Sequence, residues 1–459
     1  MAKYQKYVEY KDSGCEWTDK LPIHWNSVHL KWISTIYAGG TPSKTIESYW
    51  ENGTIPWINS GAVNQTYILE PSTYITQTAY ENSSAKWIPQ KALVMALAGQ
   101  GKTKGMVAQL GINTTCNQSM GAIIPNDLSY ARYLFWWITS NYQNIRNMAG
   151  GDLRDGLNLE HLGDMDCPLP NDEEIKKIAN FLDHETTKID NLIAKQEKLI
   201  ELLKEKRQTV ISHAVTKGLN PKVAMKDSGV EWLGQVPLEW MVSRLGYETW
   251  IRARLGWKGL KADEYVDDGY IFLATPNIKG KQIDFNNVNY INKQRYEESP
   301  EIKLNIGDIL LTKDGSTLGT VNIVRDLPKP ATVNSSIAVI TPYKNLTSEF
   351  LLYLLTSSFM VNTIQRIKGG MGVPHLFQAD LNKFYIPIPE LAEQFEIVKF
   401  LDQETAKIDT LILKAESAIQ LMQERRTALI SAAVTGKIDV RHWQSPNKNN
   451  NQDNMELSA

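Results

Sequence analysis

Asp12-Ser13-Gly14-Cys15-Glu16-Trp17 returns 215 positions later (12 to 227) as Asp227-Ser228-Gly229-Val230-Glu231-Trp232. Each copy is followed by a proline (Pro22, Pro237) and then a tryptophan (Trp25, Trp240). A second block, Phe181-Leu182-Asp183-x-Glu185-Thr186-x-Lys188-Ile189-Asp190, reappears 219 positions on (181 to 400) as Phe400-Leu401-Asp402-x-Glu404-Thr405-x-Lys407-Ile408-Asp409. The long stretches between the two blocks agree poorly from copy to copy. A shared frame around divergent inserts is the pattern of two homologous modules that perform one operation on two different targets.

At 459 residues the chain has room for two or three domains with sizeable cores. Its hydrophobic share of 42% and charged share of 22% are those of a soluble globular protein. Three scattered cysteines (Cys15, Cys116, Cys167) point away from a disulfide framework and from a thiolate metal site. The seven histidines show no metal-ligand spacing. No apolar run follows Met1-Ala2-Lys3-Tyr4-Gln5 as a signal peptide would require, and no stretch approaches the ~18 apolar residues of a membrane span. A cytoplasmic protein is expected. Net charge is −2, and residues 31–166 carry nine Lys/Arg against ten Asp/Glu, residues 246–385 sixteen against fourteen. Phosphate neutralisation supplies most non-specific DNA affinity, so any DNA binding by this chain alone is expected to be modest, with partners adding contact surface.

Pro168 and Pro170 close one region, and Asn171-Asp172-Glu173-Glu174 reads as a helix start, with a polar cap and acids at the positive end of the dipole. Heptad rows follow: Ile175, Leu182, Ile189, Gln196, Leu203, Val210 and Ile178, Glu185, Leu192, Leu199, Lys206, His213, with Phe181, Ile193 and Ile200 widening the stripe. The second copy runs Gln394, Leu401, Ile408, Ala415, Met422, Leu429 with Ile397, Glu404, Leu411, Ala418, Arg425, Ala432. Two helices of matched length and pattern, near 171–214 and 390–433, are expected to pair antiparallel. Glu185 would then face Arg425 and Glu404 face Lys206, fixing register.

The inserts read as mixed, β-rich modules. Thr54–Ile58, Ala92–Ala98, Tyr270–Ala274, Asp308–Thr312 and Ser336–Ile340 look like strands, and Glu349–Leu355 like a helix. Arg132–Ile138 fits either helix or strand. Residues after Trp443 read as disordered.

Two catalytic motifs nearly form. Ala96-Leu97-Ala98-Gly99-Gln100-Gly101-Lys102-Thr103 resembles a phosphate-binding loop, but glycines interrupt the helix it needs, and Lys313–Gly319 in the second copy lacks Gly-Lys-Thr. Asp284 with Glu301-Ile302-Lys303 could be forced into a nuclease set, but the first insert has no counterpart. No catalytic residues and no metal site are expected.

The layout over residues 10–443 resembles the specificity subunit of type I restriction–modification enzymes. The resemblance rests on both Asp-Ser-Gly-x-Glu-Trp copies, Gly39-Gly40-Thr41-Pro42-Ser43, Ile55-Pro56-Trp57-Ile58, and Pro168-Leu169-Pro170 and Pro387-Ile388-Pro389 before the Phe-Leu-Asp-x-Glu-Thr-x-Lys-Ile-Asp helices. It implies an α+β fold: two homologous mixed α/β target-recognition domains, separated by two long helices in an antiparallel coiled coil, with pseudo-two-fold symmetry. The expected division is 1–167 for the first domain, 168–217 for the first spacer helix, 218–386 for the second domain, 387–437 for the second spacer, and a disordered tail over 438–459. Each domain would read one half of a split, asymmetric site on double-stranded DNA. The implied partners are two modification subunits that methylate adenine and restriction–translocation subunits. S-adenosylmethionine, ATP and Mg would belong to those partners and no cofactor to this chain.

Base reading needs hydrogen-bonding side chains on polar turns. Candidates in the first module are Ser43, Lys44, Asn59, Ser60, Gln100, Lys102, Lys104, Asn117 and Gln118. In the second they are Arg254, Lys258, Lys261, Asn277, Lys279, Ser316, Thr317, Asn334 and Ser335. Helix pairing is assigned to Leu182, Glu185, Ile189, Leu192, Leu199, Leu203, Lys206, Leu401, Glu404, Ile408, Leu411, Met422 and Arg425. A coiled-coil scaffold whose inserts bind partners other than nucleic acid is the competing reading.

Overall fold

The repeated motif is a seat for a helix end. The computed structural model describes residues 4–99, 101–148, 156–254, 260, 262–367 and 375–445. It divides into two compact units, residues 1–196 with 417–459 and residues 197–416. The boundaries therefore fall inside the long helices rather than at their ends. In the first unit Asp12–Trp17 turns a hairpin (Tyr10–Cys15 with Thr18–Pro22) through Gly14, at φ +66°. Trp25 then donates its backbone N–H to Pro22 O (2.9 Å) and is fully buried. In the second unit Met225–Asp227 pairs with Gln235–Pro237, Gly229 sits at φ +71°, and Trp240 bonds Pro237 O at 3.0 Å.

Each seat receives the end of a different long helix. These helices are Asp172–Lys217 and Leu391–Val434. Gly218, at φ +76°, ends the first and lies over Trp240 and Pro237 in the second unit. Gly436, at φ +66°, follows the second and lies over Pro22 and Trp25 in the first unit. A left-handed glycine at this position is the usual helix terminator. Each unit thus holds the start of one long helix beside the end of the other. Within each unit the pair is antiparallel.

A strand leads into each helix. Asp166–Leu169 pairs with Asn26–His29, and Tyr385–Ile388 with Met241–Arg244. Asn171 caps the first helix, its Oδ1 accepting from Glu174 N at 3.0 Å. Glu174 is 2% exposed and accepts from Tyr7 Oη at 3.1 Å, with His24 Nε2 at 3.0 Å. Its repeat partner Glu393 accepts from Trp240 Nε1 at 2.8 Å.

The seam follows the expected first row and departs from the second. Inward residues are Ile175, Ile178, Leu182, Thr186, Ile189, Ile193, Gln196, Ile200, Leu203 and Arg207. Each has its repeat partner 219 on, from Gln394, Ile397, Leu401 and Thr405 to Arg426. The steps are 3, 4, 4, 3 and then regular 3–4 alternation, so one four-residue step is added to the heptad pattern. That step is made at Thr186 and Thr405, whose hydroxyls donate to Leu182 O (2.6 Å) and Leu401 O (2.7 Å) and so close on their own helix. Everything after it on the second row moves by one residue. Leu192, Leu199 and Leu411, expected in the seam, are 50%, 43% and 49% exposed.

The register charges shift by the same kind of offset. Arg426 donates to Asp190 through Nε (2.8 Å) and Nη2 (3.2 Å) in the first unit, and Arg207 pairs with Asp409 (3.2 Å) in the second. These two pairs are repeats of one another. Glu185 and Arg425 meet at the Tyr4 hydroxyl, which donates to Glu185 at 3.2 Å. Burial and the Glu185 carboxylate push the Tyr4 phenol up, and Arg425 opposes them. Lys206 is exposed, and Glu404 binds Lys407 of its own helix at 2.7 Å.

The inserts share the order of four strands in the main sheet, and the first adds a fifth, Tyr67–Ile68, at its edge. The first has a five-stranded sheet, in order Ser34–Ala38, Met120–Pro125, Leu93–Ala96, Val107–Leu110, Tyr67–Ile68. Beside it a three-stranded sheet centres on Ile55–Ile58, parallel to Thr115–Cys116 and antiparallel to Thr73–Ile75. The second has a four-stranded sheet, Thr249–Arg252, Ile337–Pro342, Ile309–Thr312, Val321–Ile323, and a three-stranded one centred on Tyr270–Leu273. Residues 131–140, ambiguous in sequence, form a helix that buries Tyr133, Trp136 and Trp137. The aspartate of the second repeat block fastens each insert to the long helix. Asp183 accepts from Arg132 Nε (2.6 Å) and Trp136 Nε1 (2.8 Å), and Asp402 from Tyr353 Oη (2.6 Å).

The tail is a further correction. Residues 438–445 fold back on the first unit, with Ile438 and Val440 buried and Trp443 edge-on to Phe181 at 5.7 Å. Tyr4 covers the other edge of that ring at 5.3 Å. Residues 446–459 lie outside the described residues.

Candidate nucleic-acid interface

Gly39 and Gly40 bring two segments of the first module together. Gly39 N donates to Met120 O (3.0 Å) and Gly40 N to Cys116 O (2.8 Å). A Cβ at Gly39 would lie far inside contact distance of Cys116 O and Sγ, so only glycine fits. Gly40 O accepts from Trp57 Nε1 at 3.0 Å, and the next residue, Thr41, donates its hydroxyl to Gln118 Oε1. Trp50 stands edge-on to Trp57, 5.1 Å between centroids, and donates Nε1 to Ser43 O at 3.1 Å.

These contacts frame an open cleft of about 790 Å³, lined by Thr41, Lys44, Glu47, Trp50, Glu51, Trp57, Asn59, Asn117, Gln118 and Ser119. Four expected residues, Lys44, Asn59, Asn117 and Gln118, converge there from separate stretches of chain. Among the described residues, Asn117 Oδ1 is buried without a hydrogen-bond partner. Such an acceptor costs roughly 1–3 kcal/mol until a donor reaches it. The matching residue of the second module, Asn334, has no such deficit, because its Oδ1 accepts from Ser336 N at 3.2 Å.

The other first-module candidates lie elsewhere. The Ser43 and Thr45 hydroxyls bond each other at 2.8 Å, and Ser60 begins a 3-10 turn, Ser60–Asn64. Lys102 lines a separate pocket of about 340 Å³ with Trp136, Tyr142 and Arg426. Its loop is braced by Tyr142 Oη on Lys102 O (2.5 Å) and Arg146 Nη1 on Gly101 O (2.7 Å). The loop joins two antiparallel strands, Leu93–Ala96 and Val107–Leu110, so no helix follows it as a phosphate loop requires. Lys104 is only 5% exposed, beneath the surface rather than presented on it. Gln100 lies outside the described residues.

In the second module Lys258 and Lys261 also lie outside the described residues. Arg254 is half-buried, while Lys279 is exposed. Ser316 and Thr317 form a 3-10 turn, Gly315–Thr317, and Asn334 and Ser335 follow strand Ala331–Val333. Asn277 is a structural brace rather than a presented group. It is 7% exposed, its Oδ1 accepts from Ala274 N (2.8 Å) and its Nδ2 donates to Asn287 O (2.8 Å). The Asp284 carboxylate is likewise spent on its own turn, where Asn287 and Asn286 hold it below the usual carboxylate range.

Sequence reasoning missed three sets of residues. Thr41, Glu47, Trp50, Glu51, Trp57 and Ser119 complete the cleft; the Gly-Gly-Thr stretch signalled only Thr41. Arg252 and Asp308, 4% and 1% exposed, form a buried pair at 2.7 Å that ties strand Thr249–Arg252 to the turn before Ile309–Thr312. Burial pushes the Arg252 guanidinium down while Asp308 opposes the shift. Asp183 and Asp402 carry the inserts. Among the described residues no group of three His, Cys, Asp or Glu could hold a metal ion, and no helix is long and apolar enough to cross a membrane.

The chain matches the family described as type I restriction modification DNA specificity domain over residues 22–203 and 258–419. The MjaIX type I restriction enzyme specificity subunit of Methanocaldococcus jannaschii is 24% identical over 453 residues, covering 96% of this chain and 99% of that protein. The EcoR124I/EcoR124II specificity subunit of Escherichia coli is 29% identical over 202 residues, 43% of this chain and 49% of that one. A chain solved in work on complex assembly and conformational transition of the type I R-M system superposes with a TM-score of 0.72 at 17% identity, covering 91% of this chain and 99% of its own. The HsdS subunit of Thermoanaerobacter tengcongensis gives 0.55 at 16% identity, with 91% and 98% covered.

Proposed function

The chain belongs to the type I restriction–modification DNA specificity family, and from that premise we propose that each module reads one half of a bipartite, asymmetric DNA site for modification subunits that methylate adenine. One observation carries this reading. The frame around the inserts and the core of their sheets are repeated, whereas the residues at the strand ends and turns differ between modules. Thr41, Lys44, Glu47 and Glu51 of the first cleft correspond, 215 positions on (41 to 256), to Gly256, Gly259, Ala262 and Val266, so the two half-sites should differ. The chain itself is the recognition component, and the methyl-transfer chemistry belongs to its partners.

Docking of those partners fits the shared surface. A partner bound twice needs the same patch twice, and Leu192 and Leu202 recur 219 positions on as Leu411 and Leu421. All four are exposed, at 50%, 49%, 49% and 66%.

Exchanging residues 31–167 for the insert of a relative tests the reading. Methylated adenines mapped in cells expressing the chimera with its modification subunit should change in one half of the motif only. A change in both halves, or in neither, would reject modular recognition.

A further inference from the structure

Resting on that reading, we propose that Phe400 and the carboxylates beside it dock an aromatic side chain and a flanking arginine or lysine of one modification subunit. The same side of the other long helix is covered by this chain itself. There Phe181 is fully buried, with the rings of Tyr4 and Trp443 edge-on to it at 5.3 and 5.7 Å. Arg441, two residues before that tryptophan, approaches Glu174 at 3.8 Å, and Lys177 donates to Arg441 O at 2.9 Å. The second unit repeats the surface without the cover. Glu393, Glu396, Phe400 and Glu404 occupy the places of Glu174, Lys177, Phe181 and Glu185, 219 positions on (174 to 393). Phe400 is 37% exposed against 0% for Phe181, and Glu393 is half-buried where Glu174 is buried. Leu219 takes the place of Tyr4, 215 positions on (4 to 219), and is itself exposed.

Charge and composition set what fits there. In the first unit Asn180, Asp183 and Lys188 line the groove beside Trp443, and their repeats are Lys399, Asp402 and Lys407. With Glu393, Glu396 and Glu404, the second unit therefore sets four carboxylates against two ammonium groups. Arg441 supplies the balancing cation in the first unit, and Glu396 replaces a donor, Lys177, by an acceptor. Such a face repels DNA phosphates and attracts arginine or lysine. An aromatic ring set edge-on to Phe400 adds to the area it buries. Residues 446–459 hold no aromatic side chain and one cation, Lys448, so the end of this chain does not match. The Trp443 of a second copy is already seated on its own Phe181. A modification subunit docked at Leu411 is about 16 Å away along the same helix, at 1.5 Å per residue. Because this chain fills the face in the first unit, one of the two modification subunits gains the contact and the other does not.

The test uses the full chain assembled with its modification subunits. Photoreactive benzoylphenylalanine in place of Phe400 keeps an aromatic ring at the site. Irradiation should join it to a modification-subunit peptide that carries an aromatic residue and an arginine or lysine, read by mass spectrometry. Glu396→Lys, at an exposed position, should weaken the binding of one modification subunit roughly tenfold or more and leave the other unchanged, measured by titration of the chain. Adducts confined to this chain, to a second copy or to DNA would overturn the proposal. So would equal affinities of the wild-type and Glu396→Lys chains, or equal losses at both modification subunits. Should Glu396→Lys fail to fold, the crosslink alone decides. If the wild-type chain binds no modification subunit at all, the functional reading fails, and the proposal with it.

Discussion

Gly436 and Gly14 have nearly the same φ, +66°, yet very different surroundings. A Cβ at Gly14 would meet nothing within 4 Å, whereas one at Gly436 would collide with the Pro22 ring. Gly14→Ala should therefore cost only the left-handed backbone penalty, about 1–2 kcal/mol. Gly436→Ala should cost that plus the opening of the seat that holds Trp25, and so lie at least about 1 kcal/mol higher. Urea denaturation of both variants measures the difference; equal losses would mean that the seat is not a tight joint. The motif itself was legible in sequence, as Asp-Ser-Gly-x-Glu-Trp with Pro and Trp behind it. Its purpose was not, because the glycine it receives lies hundreds of residues away, beyond the reach of any local pattern. Glu47, Trp50 and Glu51 were illegible for a related reason: only the approach of Gly39 and Gly40 to Cys116 makes their turn one wall of a cleft.

At the scale of elements, the heptad count identified both long helices and the row Ile175, Leu182, Ile189, Gln196, Leu203. It lost phase on the other row, because Thr186 is polar by sequence yet burial-tolerant once its hydroxyl bonds Leu182 O. Ile189→Ala and Leu192→Ala separate the two phases. The first, 5% exposed, should cost about 2–4 kcal/mol as a core truncation. The second, 50% exposed, should stay within about 0.5 kcal/mol of wild type. Equal effects in thermal or chemical unfolding would restore the strict heptad. The ion pairs Asp190–Arg426 and Arg207–Asp409 are partly exposed, and each is worth about 0.2–1 kcal/mol. Their role is orientation more than stability, since a parallel arrangement would lose both at once.

For the whole molecule, the compact units divide at residues 196/197 and 416/417, within one residue of matched points on the two repeats. An insertion there leaves the seats and sheets of both units untouched. One heptad added at both points should keep every recognised base and change only the gap between half-sites in the methylated motif. Methylome mapping would show this directly, and an unchanged gap would remove the helices from the setting of that distance.

Two modules of one design, joined by two long helices, can be read from the chain alone, because duplication preserves order and period even where side chains diverge. The β-rich character of the inserts was legible there too. Which helix end sits in which seat, which row of the heptad faces inward, and which polar residues share a cleft emerge only in the folded chain. Those outcomes depend on contacts between residues far apart in the chain, where a single buried hydroxyl or a missing Cβ outweighs the pattern around it.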